Sequence, residues 1–313
     1  MAQAADSSSC DLSVVITIVS GAAHLAECLA ALERQVGCDQ LTLEIIVPHD
    51  RYSTDIPALQ QRFPDTVFYP VTLTVDGPAG LCHEHFDALR TAGLQLASGQ
   101  IIAMLEDHEQ ADVHWCRRMI ETHQLPHAAV GGAVENGVDR PLNWATWFLD
   151  FGRYQNPLTE GPSTFLTDVN IAYKKPALET VRPAWEHGFS EPAVHSALLA
   201  RGETLWLSPD IIVYQHRTGL TLSHAMRERF VWGRFFAGNR LQDKGLGRRL
   251  AYSAASVAVP GIILLKKIRD VRSKGRLQGA FVKALPMIML LAICWASGEC
   301  IGYLTGKPSN YQA

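Results

Sequence analysis

No Cys-x-x-Cys pair occurs in this chain: Cys10, Cys28, Cys38, Cys82, Cys116, Cys294 and Cys300 are odd in number and scattered. That spacing argues against a zinc ribbon and fits a reduced, cytosolic catalytic portion. The chain also lacks an excess of positive charge, with a formal net charge of −3, so it does not read as a nucleic-acid binder. Residues 1–11 are small and polar without an apolar centre, which excludes a signal peptide and predicts a disordered lead-in. Neither an internal repeat nor a low-complexity segment is evident. What is present is enough chain for one large α/β domain plus an appendage, or for two small domains. The basic residues crowd the C-terminal third, from Arg227 through Arg248, Arg249, Lys266, Lys267 and Arg269 to Arg276.

The rest of the chain is organised around residues 99–115. Ile101, Ile102, Ala103, Met104 and Leu105 form an apolar run expected of a strand buried on both faces. It ends in Glu106, Asp107, His108 and Glu109, an acid cluster where open α/β sheets place their ligands. If the chain stays extended, Glu106 and His108 point to one side, where they can share a divalent cation that carries a diphosphate. The plainer alternative is a solubilising turn in which Asp112 caps the next helix.

Before this stretch, β-branched content predicts a strand over 13–19, and Leu25, Cys28, Leu29 and Leu32 predict a helix over 24–35. A strand over 43–47 follows, and the strand–helix–strand order predicts a parallel sheet with a right-handed crossover. A helix over 55–62, a strand over 67–71, a turn at Gly77-Pro78 and a helix over 83–97 complete the approach. After it come a helix from Asp112 to about His123 and a strand over 129–134. Trp144, Trp147, Phe148, Phe151 and Tyr154 mark an aromatic helix and loop, either core or a stacking surface. A strand over 165–173, a helix over 191–201 with Ser190 as N-cap and Gly202 closing it, and short strands over 205–213 follow.

In order, Ser-Val-Val-Ile-Thr-Ile-Val, Glu-Ile-Ile-Val-Pro-His-Asp50, Arg90 to Gly99, Leu-Glu-Asp-His, Asp168-Val-Asn-Ile, Phe189-Ser-Glu-Pro and Pro209 to His216 resemble the family 2 glycosyltransferases of the GT-A fold. The resemblance covers roughly residues 11–217. It implies a mainly parallel sheet flanked by helices, and an inverting enzyme that moves a sugar from a nucleoside diphosphate donor. By the same resemblance Asp50 contacts the nucleotide, and Arg90 approaches the nucleotide or its phosphates. The family usually carries Asp-x-Asp at the central strand end to hold manganese or magnesium on the diphosphate. This chain has Glu106-Asp107-His108, which assigns Glu106 and Asp107 to the donor and Glu106 and His108 to the metal. A histidine ligand suits manganese better than magnesium. His216 falls where some members supply a further ligand. Asp168 and Asn170 fall where the family lines the donor sugar and acceptor, with turn and edge hydrogen bonding as the alternative.

The acceptor hydroxyl needs a base. The family commonly places Glu-Asp near the start of the helix beginning here at Glu191; this chain reads Glu191-Pro192, so Glu191 is the expected base, or else only an acid serving the helix dipole. The Gln-x-x-Arg-Trp motif of processive synthases is missing, since Arg229-Phe-Val-Trp232 does not match it, and single addition is expected. The departures leave an alternative, a catalytically degenerate module for binding and assembly of a polysaccharide complex. A nucleotidyltransferase is disfavoured, because Ser20-Gly21-Ala22-Ala23 is no triphosphate loop.

The C-terminal region carries an amphipathic helix over 220–240. An apolar stretch over 251–265, about 22 Å as a helix, follows and is short of the roughly 30 Å hydrocarbon core. Basic pairs flank it on both sides, so it is expected in or dipping into the interface at the cytoplasmic face. Residues 284–304 are long enough to span, with an in-plane helix or a buried soluble hairpin as alternatives. The sequence thus divides into a lead-in over 1–11, a transferase domain over 12–218 and a membrane-associating helical region over 219–313. The expected partners are a nucleoside diphosphate sugar, a lipid-linked acceptor and a membrane surface.

Overall fold

The computed structural model describes residues 10–72, 83–241 and 245–306. The turn expected at Gly77-Pro78 lies outside them. The chain divides into two compact units, one of residues 1–135 and 156–216, the other of 136–155 and 217–313. The second unit therefore also takes in the aromatic segment, which the sequence reading kept within the transferase domain.

The first unit is built on a nine-stranded sheet. Strands β1 (Leu12–Thr17), β2 (Leu43–His49), β3 (Thr66–Pro70) and β4 (Ile101–Glu106) form its parallel half, in the order β3-β2-β1-β4. Helix α1 (Ala22–Glu33) crosses from β1 to β2, burying Leu25, Cys28, Leu29 and Leu32, the stripe expected from its spacing. Helix α2 (Ile56–Arg62) leads to β3, and α3 (His83–Leu96) leads to β4.

Beyond β4 the sheet turns antiparallel, and here the expectations are corrected. Glu109–Ala111 is a short strand, β5, so helix α4 begins at Trp115 rather than Asp112. Pairing β5 with the last strand captures those three residues before a helix can start. The Asp112 carboxylate instead accepts from the His114 amide, 3.0 Å. Strand β6 (Ala129–Asn136), helix α5 (Pro141–Asp150) and strand β7 (Gly161–Ser163) follow. The strand expected over 165–173 is confined to β8 (Ile171–Lys174), because Asn170 N–H turns back onto the Thr167 carbonyl, 3.1 Å. Helices α6 (Lys175–Thr180) and α7 (Glu191–Ala200) precede β9 (Leu205–Gln215), one long strand rather than several short ones. Ser190 stands at the α7 N-cap position, with no side-chain capping bond.

Backbones approach closely where β6 passes β9. A Cβ on Gly132 would lie 1.9 Å from the Ile211 carbonyl oxygen, so only glycine fits. The core beneath the sheet joins Val15, Ile46, Met104, Tyr173, Trp185 and Phe189.

The second unit is helical. Beside α5 it holds α8 (Leu222–Arg240), α9 (Leu246–Ala255), α10 (Val259–Lys274) and α11 (Gln278–Thr305). Thr221 caps α8 by accepting from the His224 amide, 3.3 Å. Arg229 is buried against Asp150 with both contacts at 2.5 Å, and Arg217 pairs with the buried Glu228 at 3.2 Å. These arginines neutralise internal acids and belong to the packing of the unit.

Candidate active site

The site forms at the carboxyl end of β4, where a two-residue turn separates Glu106 from Glu109. The four residues of a turn bring their ends together, so Glu106 and Glu109 close on the same space as His108. His108 Nε2 lies 3.6 Å from Glu106 Oε2 and 3.5 Å from Glu109 Oε1. Ligand atoms of Glu106, His108 and Glu109 all lie within 4.8 Å of one another. Both Glu109 carboxylate oxygens are buried without a hydrogen-bond partner. A buried carboxyl with no hydrogen-bond partner, and only the His108 ring 3.5 Å away, is costly to ionise, and a divalent cation is a group that offsets it. Two carboxylates and an imidazole therefore fit such an ion.

The protonation equilibria agree with that geometry. Burial raises the Glu109 carboxyl to about 8, opposed by His108 and reinforced by Glu106 and Asp107. Burial also raises the Glu106 carboxyl, against the pull of Arg90. For His108 burial acts downward, but Glu109, the bond to Asp107 and Glu106 outweigh it and raise the imidazole to about 9.

Asp107 has a different task from the one expected at the donor. It is fully buried, accepting from the Ser20 amide at 2.7 Å and the Gly21 amide at 2.6 Å. Its carboxylate thus fixes the loop that opens α1. His108 Nδ1 is held by Ser20 Oγ at 3.0 Å and Asp107 Oδ1 at 3.2 Å, which leaves Nε2 toward the two glutamates. His216 is also placed differently. Its amide donates to the His108 carbonyl at 2.7 Å, so its backbone supports the turn. Its imidazole falls outside the ligand group, and burial lowers its pKa despite nearby Glu27.

Arg90 is buried and joins the acids. Its Nη2 lies 2.6 Å from both Glu106 Oε1 and Asp168 Oδ2, with Asp87 3.6 Å from Nη1. Burial opposes its charge, yet Asp168 and Glu106 hold the guanidinium protonated well above its usual range. Glu191, the first residue of α7, feels the same field: burial and Asp168 raise its carboxyl to about 8, while Arg90 opposes. Asp168 and Glu191 thus both act on the Arg90 charge. Asn170 is knit into the fold, with its Nδ2 donating to Ala133 O at 2.9 Å and Ile211 O at 3.0 Å. Its Oδ1 accepts from Trp115 Nε1 at 2.8 Å.

Asp50 lies at the end of β2, beside a cavity of about 410 Å³ lined by His49, Asp50, Arg51, Tyr52, Pro70, Val71 and Thr72. Its Oδ1 accepts from the Tyr52 amide, 3.1 Å, and from Ser53 Oγ, 3.0 Å. Oδ2 has no hydrogen-bond partner and faces His85 Nε2 at 3.6 Å. Burial lowers the His85 pKa, against the pull of Asp50.

The residue sequence reasoning missed is Glu109, assigned no ligand role because the stretch was read as extended. Alternation along a strand selects i and i+2; the turn selects i and i+3.

The family model for glycosyl transferase family 2 matches residues 13–182. Among solved structures, mannosyltransferase PcManGT from Pyrobaculum calidifontis in complex with GDP-Man and Mn2+ is 17% identical, over 92% of this chain and 86% of that one, with a TM-score of 0.51. S. aureus TarS, residues 1–349, is 12% identical over 95% of this chain and 90% of that one, with a TM-score of 0.47. No curated protein sequence matches. With a family model spanning more than half its length over the sheet just described, this chain belongs to glycosyl transferase family 2 and has a GT-A-type fold.

Proposed function

We propose that this protein transfers a sugar, with inversion, from a nucleoside diphosphate donor to a membrane-held, lipid-linked acceptor at the cytoplasmic face of a membrane. The observation that carries the donor half is the Glu106, His108 and Glu109 group with its unpartnered Glu109 oxygens. These three residues would hold a divalent cation, manganese in preference to magnesium because of the imidazole. When bound, the cation supplies positive charge to the leaving diphosphate. The manganese and GDP-Man of the Pyrobaculum enzyme are consistent with this reading.

The remaining work falls to the chain's own side chains. Asp50 lines the cavity that would take the nucleotide, with its Oδ2 turned to His85 Nε2 at 3.6 Å. Arg90 holds Glu106 and Asp168 in place through its 2.6 Å contacts with each, and acts on the donor through them. Glu191 is the base. Its raised pKa suits proton abstraction near neutrality, with the ionised fraction growing as pH approaches about 8. Asp107, His216 and Asn170 support the site from behind it.

The supporting experiment is titration of a panel of nucleoside diphosphate sugars in manganese, magnesium or chelator. Glu191→Gln should keep donor binding while losing about 100-fold or more in transfer. Loss of binding and transfer together would remove Glu191 from the role of base. The second reading, a binding and assembly module, draws on Arg90 and Asn170, both engaged inside the protein. Donor binding without any turnover would favour it.

A further inference from the structure

Helices α9 and α10 are amphipathic in the wrong sense for a protein in water. Between Leu246 and Leu265 the buried side chains are Ser253 and Ser256. Ser253 Oγ donates to the Cys300 carbonyl at 3.3 Å, and Ser256 Oγ to the Tyr252 carbonyl at 3.1 Å. Outward stand Leu246 at 65% exposure, Leu250 at 50%, Val257 at 85%, Ile262 at 62% and Leu265 at 65%. A helix on a water-soluble surface turns its apolar stripe inward, so an outward stripe of this extent marks a contact surface.

Charge identifies the occupant. Arg248 stands in the first turn of the apolar stripe and Lys266, Arg269 and Arg272 follow it, all exposed. Asp270 is the one acidic residue over 246–276. Apolar side chains bordered by cations at both ends match an anionic lipid headgroup layer over hydrocarbon.

The packing of α11 decides how the unit meets that layer. A Cβ on Gly298 would lie 2.0 Å from the Phe230 carbonyl oxygen, and one on Gly302 would lie 2.5 Å from that of Arg234. Helix α11 is therefore seated backbone-to-backbone on α8, which bears exposed His224, Arg227 and Arg240 and the buried Glu228–Arg217 pair. A spanning α11 would drag this charged helix into hydrocarbon.

We infer that the second unit is an in-plane anchor for anionic membranes, with α9–α10 laid in the headgroup–acyl boundary and neither α10 nor α11 crossing the bilayer. This deepens the membrane-held part of the proposed function and rests on that reading; it does not depend on the donor chemistry.

The test uses the full chain, floated with sealed vesicles of phosphatidylcholine alone or of phosphatidylcholine mixed with phosphatidylglycerol. The expected result is binding to the mixed vesicles that weakens with salt. Reversing charge at Arg248→Glu with Arg269→Glu should cost at least about 100-fold in binding. Val257→Glu with Ile262→Glu should release the protein while circular dichroism stays unchanged. A protease site placed at Gly275, between α10 and α11, separates lying from crossing. Cleavage from outside intact vesicles is expected; protection until detergent is added would overturn the in-plane placement. Equal binding to neutral vesicles would overturn the anionic partner. Absence of vesicle binding, with dimers that Val257→Glu breaks, would reassign the face to self-association. Nucleotide-sugar binding on the same lipid-free samples reports separately on the transferase reading.

Discussion

At the residue scale the site is a balance of buried acids against few cations, and Glu109 is where that balance is most exposed to test. Glu109 and Glu191 are held up to about 8, and His108 up to about 9. Each therefore keeps a proton in the folded chain that the unfolded chain has already released, the acids from about 4.5 upward and the imidazole from about 6.5 upward. It follows that metal-free stability falls as pH rises through this window, toward about 8 for the acids and about 9 for His108. A cation must displace the same protons, so its apparent affinity should rise across that range. Thermal melts from pH 5 to 9, with and without manganese, check both trends. Glu109→Gln should abolish the manganese stabilisation, worth about 3 kcal/mol at a hundredfold excess over Kd, without lowering metal-free stability at pH 8. For Glu191, kcat/KM should climb with pH through a midpoint near 8 and level off above it; a profile flat across that range would exclude it as base.

At the scale of elements, the β4 turn and the strand after it do the positioning. Asn170 ties β6 and β9 to Trp115 at the start of α4, through three bonds in a site with no water-facing side. Asn170→Ala should cost about 2–4 kcal/mol by chemical denaturation, because it strands a buried indole N–H and two carbonyls. An unchanged denaturation midpoint would return Asn170 to the donor surface. The parallel half of the sheet was legible in sequence because each strand is a short β-branched or apolar run and each crossover helix carries one clear stripe. Leu25, Cys28, Leu29 and Leu32 were read correctly for that reason. The antiparallel half was less legible. Three-residue β5 has no periodicity of its own and exists through pairing with β9, a partner about a hundred residues away. Glu109 was thus legible as part of the acid cluster but not as a ligand. Asp107 escaped as a loop anchor because its partners are backbone amides of Ser20 and Gly21, groups every residue type shares.

Over the whole molecule the chain forms two compact units. The first carries the Glu106, His108 and Glu109 group on a GT-A-type sheet, and the second bears an exposed apolar and basic face. Sequence composition signalled the second unit through its clustered arginines and lysines. It could not distinguish Arg229, paired internally with Asp150, from Arg248, which faces out. If the acceptor is lipid-linked, transfer should accelerate on anionic vesicles that carry it, while slow hydrolysis of the donor by water should be indifferent to lipid. Equal rates with a water-soluble acceptor in the absence of vesicles would contradict a membrane-held substrate.

Glu106, His108 and Glu109 are proposed to present a nucleoside diphosphate sugar with a divalent cation. Isothermal titration of the donor panel in manganese and in chelator, on the native chain and on Glu109→Gln, tests it most directly. One donor should bind in manganese, and chelator or Glu109→Gln should weaken that binding by at least about tenfold. Binding of equal strength in chelator and in the variant, or binding of no donor under any condition, would contradict it.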